Sequence, residues 1–290
     1  MINTEQKEQI RARLEAYVKR YPSQTKAVNS LKGTSSGTVS SILNRKWESI
    51  SEDMWMKLSS QLDGASEWQL CRTSAFNSLM LYMQDAKDES NVMWVTGPAG
   101  IGKSTAAGVF CREHKNVFLV TCSEDMHKSD FIRELASKVG VRSIGMTVRE
   151  TLAAVIDALV RMDSPLLIFD EGDKLTDTVL YYYISLYNAL EDKCGMIFLS
   201  TNYIQERMRK GLNRGKKGYD EIDSRICRRF VPLDLVNSNE VEAICQANGL
   251  LDMAAIRTVK QEAASCGNDL RRVKKSIHKE LKKLSLKDVR

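Results

Sequence analysis

Val92-Met-Trp-Val-Thr96 runs straight into Gly97-Pro98-Ala99-Gly100-Ile101-Gly102-Lys103-Ser104, and a helical stretch follows from Thr105 to Cys111. A strand, a glycine-rich loop and a helix in that order are the parts of a phosphate cradle. Glycines let the backbone turn its N–H groups inward, and the helix offers the positive end of its dipole. In this G-x-x-x-x-G-K-S pattern Lys103 reaches the β- and γ-phosphates and Ser104 ligates Mg²⁺. The residues expected to face a nucleotide are Gly97, Pro98, Ala99, Gly100, Ile101, Gly102, Lys103, Ser104 and Thr105.

About sixty residues on, Leu166-Leu-Ile-Phe-Asp170-Glu171 is an apolar run ending in two carboxylates. Ligands of open parallel sheets bind at the C-terminal ends of the strands. Asp170 is therefore placed to hold the metal and Glu171 to polarise an attacking water. ATP hydrolysis, with ATP and Mg²⁺ as cofactors, is the expected chemistry. Met196-Ile-Phe-Leu-Ser-Thr201-Asn202 is another buried strand with a polar end. There Asn202 either orients the water beside the γ-phosphate or caps the following helix.

Outward from these motifs the chain separates by pattern. Residues 1–66 read as short helices punctuated by Pro22 and Gly33. Residues 67–235 alternate strands and helices, with strands expected at Val92–Thr96, Val117–Thr121, Leu166–Asp170, Met196–Thr201 and Phe230–Leu233. Residues 236–290 return to helix, with Leu270, Val273, Ile277, Leu281 and Leu284 three or four apart. The expected fold class is α/β, a P-loop core with a parallel five-stranded sheet flanked by helical regions.

Composition narrows the alternatives. The chain has 290 residues, 43% of them hydrophobic, which describes an ordinary globular protein. No apolar run approaches the ~20 residues that span a bilayer, so no membrane association is expected. The first thirty residues hold no apolar block, so no signal peptide is expected and a cytoplasmic location follows. Seven cysteines without a C-x-x-C pair and three distant histidines supply neither a disulfide framework nor zinc spacing.

The net charge of +6 is weak globally and strong locally. Arg207, Arg209, Lys210, Arg214, Lys216 and Lys217 fall between 207 and 218 with no acid among them. Residues 210–218 (KGLNRGKKG) read as a flexible Gly-rich loop suited to sequence-independent contact with DNA phosphates. A second surplus lies beyond Arg271, where Lys274, Lys275, Lys282 and Lys283 are either a DNA face or a solvated helix surface.

The order of these motifs resembles the AAA+ ATPases. By that resemblance Ser224-Arg225, just before Ile226-Cys-Arg228-Arg229-Phe230, stands at the arginine-finger position, with Arg228 and Arg229 as alternatives. Such an arginine serves a neighbouring subunit's nucleotide and implies a homo-oligomer. Gly267-Asn-Asp269-Leu-Arg271 resembles the second sensor, which brings Arg271 to the nucleotide of its own subunit. Trp68 or Thr73 would flank the adenine, with interdomain packing the alternative for Trp68, and 236–290 would form a helical lid. Ser23 to Lys46 resembles a repressor-like helix-turn-helix, with Gly33 at the turn and Val39, Ile42 and Leu43 packed inward. Ser36, Thr38, Ser41, Arg45 and Lys46 would then meet the groove and its phosphates. A protein-docking helical module is the alternative.

A helix-turn-helix, a AAA+ core and a short lid together resemble the MuB-type transposition proteins, whose wider group includes TnsC and IstB. The resemblance implies a bacterial or phage-encoded ATPase that assembles on double-stranded DNA as a homo-oligomer or helical filament when ATP is bound. It would present that DNA as target to a DDE transposase, stimulate strand transfer and leave on hydrolysis. A replication initiator or helicase loader, and a nucleotide-switched DNA-binding regulator, are the competing readings. Glu171 speaks against the last, since a pure switch has no need of a water-activating carboxylate.

Overall fold

The computed structural model describes residues 2, 4–19, 21, 23–31, 33–63, 68–226 and 229–287. Its contacts divide into two compact units, Met1–Gln69 and Leu70–Arg290.

The first unit contains helices α1 (Thr4–Lys19), α2 (Gln24–Ser30), α3 (Ser36–Leu43) and α4 (Glu52–Asp63). Serine hydroxyls start two of them. Ser23 Oγ accepts from Lys26 N–H at 3.3 Å and Ser35 Oγ from Thr38 N–H at 3.0 Å, satisfying donors that a first helical turn leaves open. Between them Gly33 takes a left-handed φ of +68°. Leu14, Val39, Ile42, Trp55 and Leu58 are fully buried at the centre, with Leu43 and Trp47 packed against them. Trp47 meets Trp55 edge-on at 5.7 Å. Burying each such side chain stabilises the unit by roughly 1.5–3 kcal/mol, which is what lets so short a segment hold a core.

The second unit begins with α5 (Ser74–Asp88), started by the buried Thr73, whose hydroxyl accepts from Phe76 N–H at 3.2 Å. Then β1 (Val92–Thr96), α6 (Lys103–Glu113), β2 (Val117–Thr121), α7 (Lys128–Val139), α8 (Val148–Val160) and β3 (Leu166–Asp170) follow. A short 3₁₀ turn at Gly172–Lys174 leads to α9 (Asp177–Leu190), β4 (Gly195–Ser200), α10 (Tyr203–Asn213), α11 (Tyr219–Arg225) and β5 (Phe230–Pro232). The five strands form a parallel sheet in the order β2-β3-β4-β1-β5. Strands β3 and β4 are buried along their whole length, as central strands covered on both faces must be.

Register fixes what the sheet presents. Val95 and Asp170 both lie opposite Leu199, so the ends of β1, β4 and β3 are level. An aromatic ladder locks these strands together: Trp94 stacks on Phe198 at 4.5 Å, Phe198 on Phe169 at 4.8 Å, and Phe169 on Phe131 of α7 at 5.6 Å. The Trp94 indole N–H is satisfied by Ser200 Oγ at 2.8 Å.

Helices α12 (Ser238–Ala247), α13 (Met253–Ala264) and α14 (Leu270–Lys287) complete the unit. Glu240 fastens α12 to the start of α5. Its carboxylate accepts Ser74 N–H at 2.5 Å and Ser74 Oγ–H at 2.8 Å, and also Asn237 N–H at 2.7 Å. Burial pushes the Glu240 carboxyl up, but these donors outweigh it and hold it below its ordinary value.

Candidate functional site

The strand order places the end of β4 between the glycine-rich loop and the Asp170–Glu171 pair. Gly97 N–H donates to Ser200 O at 3.1 Å, so the loop leaves the sheet in contact with β4. Gly100 and Gly102 then adopt φ of +78° and +103°, conformations that a side chain would strain. Lys103 opens α6 directly after Gly102, which has no side chain to cap the helix. The first N–H groups of α6 therefore remain open to an anion. Ser104 and Thr105 are exposed in that first turn.

The Lys103 ammonium folds back over the loop, donating to Gly97 O at 2.6 Å and Pro98 O at 2.9 Å. Burial lowers its pKa, while Asp170 and Asp173 pull it back up. Both partners are neutral carbonyls, so its charge stays uncompensated within its own loop.

Asp170 is 4% exposed, and its Oδ1 accepts Glu171 N–H at 3.0 Å. Glu171 has a left-handed φ of +56°, and its carboxylate forms an ion pair with Lys174 in the 3₁₀ turn. Asn202 is exposed, and its side chain makes no capping hydrogen bond to α10, which removes the cap explanation for that residue. The neighbouring Thr201 hydroxyl donates to Asp173 at 2.5 Å, and Gln205 Nε2 donates to Thr96 Oγ1 at 3.0 Å. Asp173 and Gln205 carry no sequence signal of their own, and Thr201 stands out only as the polar end of a strand. Only the strand order brings them together.

From the other side, Leu270 N–H donates to Gly100 O at 3.0 Å, joining the start of α14 to the phosphate loop. Asp269 sits so close to Gly100 that an added Cβ would lie 2.1 Å from its carboxylate. That carboxylate accepts Arg271 N–H at 2.8 Å. Arg271 is exposed, and its charge lowers the pKa of Lys103.

Arg225 is not a free side chain. Nε and Nη2 donate to Asn188 Oδ1 at 3.2 and 2.7 Å, Nη1 donates to Glu221 O at 3.0 Å, and the guanidinium lies 5.4 Å over the Tyr187 ring. Arg229 is exposed, and Arg228 lies outside the described residues. Thr73, offered beside an adenine, is used as the cap of α5.

The basic stretch is not the flexible loop its composition suggests. Helix α10 continues through Asn213, leaving only 214–218 between it and α11. The Tyr219 ring fills the space over Gly211, where an added Cβ would lie 2.1 Å from it. Tyr181 donates its hydroxyl to Lys217 O at 2.6 Å. Asp177 gathers Lys216, Arg207 at 2.6 Å and the Tyr219 hydroxyl at 2.8 Å. Burial pushes the Asp177 carboxyl up, but bonds from Lys216, Arg207 and Tyr219 outweigh it and hold the group at about 2. Lys210 pairs with Glu206 at 2.6 Å. Arg209, Arg214 and Lys217 are exposed, and none is in an ion pair among the described residues.

In the first unit Thr38 Oγ1 shares a hydrogen bond with Ser35 Oγ at 2.9 Å, and Ser41 is half-buried. Arg45, at φ +58°, is paired with Glu8 of α1 at 2.8 Å, so its charge is already partnered. Lys46 is exposed.

Comparisons with known proteins agree with this geometry. A family model described as an AAA domain matches residues 86–208. The chain is 24% identical over 250 residues to the Mu-like prophage FluMu DNA transposition protein B of Haemophilus influenzae, covering 82% of this chain and 85% of that one. It is also 24% identical over 264 residues to the ATP-dependent target DNA activator B of Escherichia phage Mu, covering 87% and 83%. The Aeropyrum pernix ORC1 protein, solved in complex with DNA, aligns with a TM-score of 0.51 at 16% identity over 70% of this chain. Only 57% of that chain is covered, and the likeness is one of fold. Among the described residues no helix is long and apolar enough to cross a membrane. The likeness runs through most of both transposition proteins, and with the AAA domain it supports an ATPase similar to the MuB-type AAA+ proteins.

Proposed function

We propose that this ATPase assembles on double-stranded DNA as an ATP-bound homo-oligomer or filament. It presents that DNA as target to a DDE transposase, stimulates strand transfer and leaves on hydrolysis. The likeness to two transposition proteins across more than four-fifths of each chain carries the reading.

In the proposed site the N–H groups of Gly97–Thr105 wrap the phosphates and Lys103 neutralises their charge. The residues present fit Mg²⁺. The exposed Ser104 hydroxyl and the buried Asp170 carboxylate, which takes a single N–H on Oδ1, form an all-oxygen donor set of the kind a hard cation selects. Bound there, the ion would neutralise charge on the phosphates. Glu171 takes the proton of the attacking water, Asn202 orients that water, and Arg271 contacts the γ-phosphate from the C-terminal helices.

For the charge supplied in trans, the surroundings separate two arginines. Arg225 braces α11 against α9 through Asn188 and Tyr187, whereas Arg229 is exposed. We assign the trans role to Arg229. Sequence-independent DNA contact is assigned to Arg209, Arg214 and Lys217, with Lys210 at their edge and Lys216 holding the turn. In the first unit Thr38, Ser41 and Lys46 are the proposed contacts, with Arg45 set by Glu8.

The test is assembly of the full chain on long duplex DNA, followed by light scattering with ATP, a non-hydrolysable analogue or ADP. A strand-transfer assay with a DDE transposase accompanies it. Assembly with ATP and the analogue but not ADP, together with stimulated transfer, is expected. Absence of nucleotide-dependent assembly would overturn the reading.

A further inference from the structure

Arg207 lies on the partly buried side of α10 and bonds in two directions. Toward the sheet, Nη1 donates to Asp173 O at 3.1 Å and Leu175 O at 2.7 Å. Those carbonyls belong to the turn that begins at Glu171. The Asp173 carboxylate accepts the Thr201 hydroxyl beside Asn202 and acts electrostatically on Lys103. Toward the surface, Nη2 pairs with Asp177 at 2.6 Å and Nε donates to the Tyr219 hydroxyl at 3.2 Å. Asp177 and Tyr219 hold Lys216, and with it the turn that exposes Arg214 and Lys217. One guanidinium thus bonds both to the segment carrying the proposed base and to the brace of the basic turn. Its fixed planar fork makes the two sets of bonds depend on each other's geometry, which a flexible ammonium would not do. Buried polar networks of this kind are where two sites share one set of bonds.

We propose that Arg207 is a positioning residue that couples duplex DNA on Arg209, Arg214 and Lys217 to the Glu171 turn, so that DNA changes the turnover number for ATP. The inference rests on the DNA reading above and adds the route by which that surface reaches the chemistry. Phosphates drawing on the turn 214–218 shift the Asp177–Tyr219 brace. Arg207 carries that shift to the carbonyls of Asp173 and Leu175, and so to the backbone that aims Glu171.

The experiment measures kcat and KM for ATP of the full chain with and without long duplex DNA. Wild type, Arg207→Lys and an Arg209→Ala/Arg214→Ala/Lys217→Ala triple variant are compared. Duplex affinity is measured separately with a non-hydrolysable ATP analogue. Wild-type kcat is expected to change at least about fivefold with DNA. Arg207→Lys should bind duplex within about twofold of wild type, keep its KM, and show a kcat ratio near one. A wild-type ratio in Arg207→Lys overturns the coupling, as does a wild-type enzyme indifferent to DNA. The triple variant tests the surface alone. If it binds duplex as wild type does, the DNA reading of this surface fails and the proposal falls with it. If it loses duplex while Arg207→Lys keeps the ratio, only the coupling falls. Should Arg207→Lys not fold, Asp177→Asn keeps both carbonyl bonds while loosening the brace. The same loss of ratio is expected, and its retention overturns the proposal.

Discussion

Two segments of this chain, 97–104 with one lysine and 210–218 with three, hold three glycines each, and the fold uses them in opposite ways. In the first, Lys103 hydrogen-bonds, among the described residues, only to neutral carbonyls of its loop, leaving its charge for an anion. In the second, Lys216 is matched by Asp177, and an aromatic ring occupies the space that Gly211 provides. A cradle and a brace can share a composition. What distinguishes them is whether a carboxylate of the chain already pairs with the lysine.

The sharpest way to break the distinction between free and braced cations is the pair Arg229 and Arg225. Arg229→Ala should cut ATP turnover by about 10³-fold in the assembled state while ATP binding persists. Arg225→Ala should instead lower the melting temperature by a few degrees through loss of the Asn188 and Tyr187 contacts. Turnover assays and thermal melts on both variants would read this, and swapped phenotypes would reverse the assignment. Glu171→Gln probes the acidic side. Turnover should fall by about 10²-fold with nucleotide affinity kept, measured by phosphate release against a binding titration.

Gly211→Ala sharpens the contrast from the braced side. Its Cβ meets the Tyr219 ring, so a loss of about 1–3 kcal/mol in unfolding free energy from denaturant melts is expected, with ATP affinity unchanged. Asp177 contributes a pH signature. Its folded value is held at about 2, below its ordinary 3.8. Its ionised form is therefore the stabilising one, fully in place above about pH 4 and lost as pH falls toward 2. Allowing for screening at its open side, about 1–2 kcal/mol is at stake. Asp177→Asn should flatten that part of an acid-unfolding curve. The smallest effect belongs to Lys217→Ala, which should leave melting unchanged and reduce the salt dependence of duplex binding by about one phosphate contact.

Much of the sheet is readable from local pattern. Strands β1, β2 and β3 occupy the stretches their apolar runs predict, because buried parallel strands advertise themselves as short apolar blocks. Strand β4 runs from Gly195 to Ser200 instead of Met196 to Thr201, since Thr201 has left the ladder to bond Asp173. Strand β5 ends at Pro232, one residue short of the expected Leu233, although Leu233 N–H still donates to Thr96 O of β1 at 2.8 Å. The loop motif and Asp170–Glu171 stand out because a ligand, not a distant part of the chain, dictates their spacing. The Arg207 network has no such signature. Apart from Tyr219, its partners come from positions 30 or more residues away in sequence, and a charge run reads the same whether it faces solvent or a half-buried carboxylate.

The hydrogen bond from Leu270 to Gly100 has a mechanical consequence. Helix α14 is 18 residues long, a rod of about 27 Å whose first peptide is tethered to the phosphate loop. A tilt of about 10° at that tether swings the far end by about 5 Å, using the same rise per residue. On the proposed nucleotide reading, a terminal phosphate that moved Gly100 would be geared up into a displacement large enough for an adjoining molecule to register.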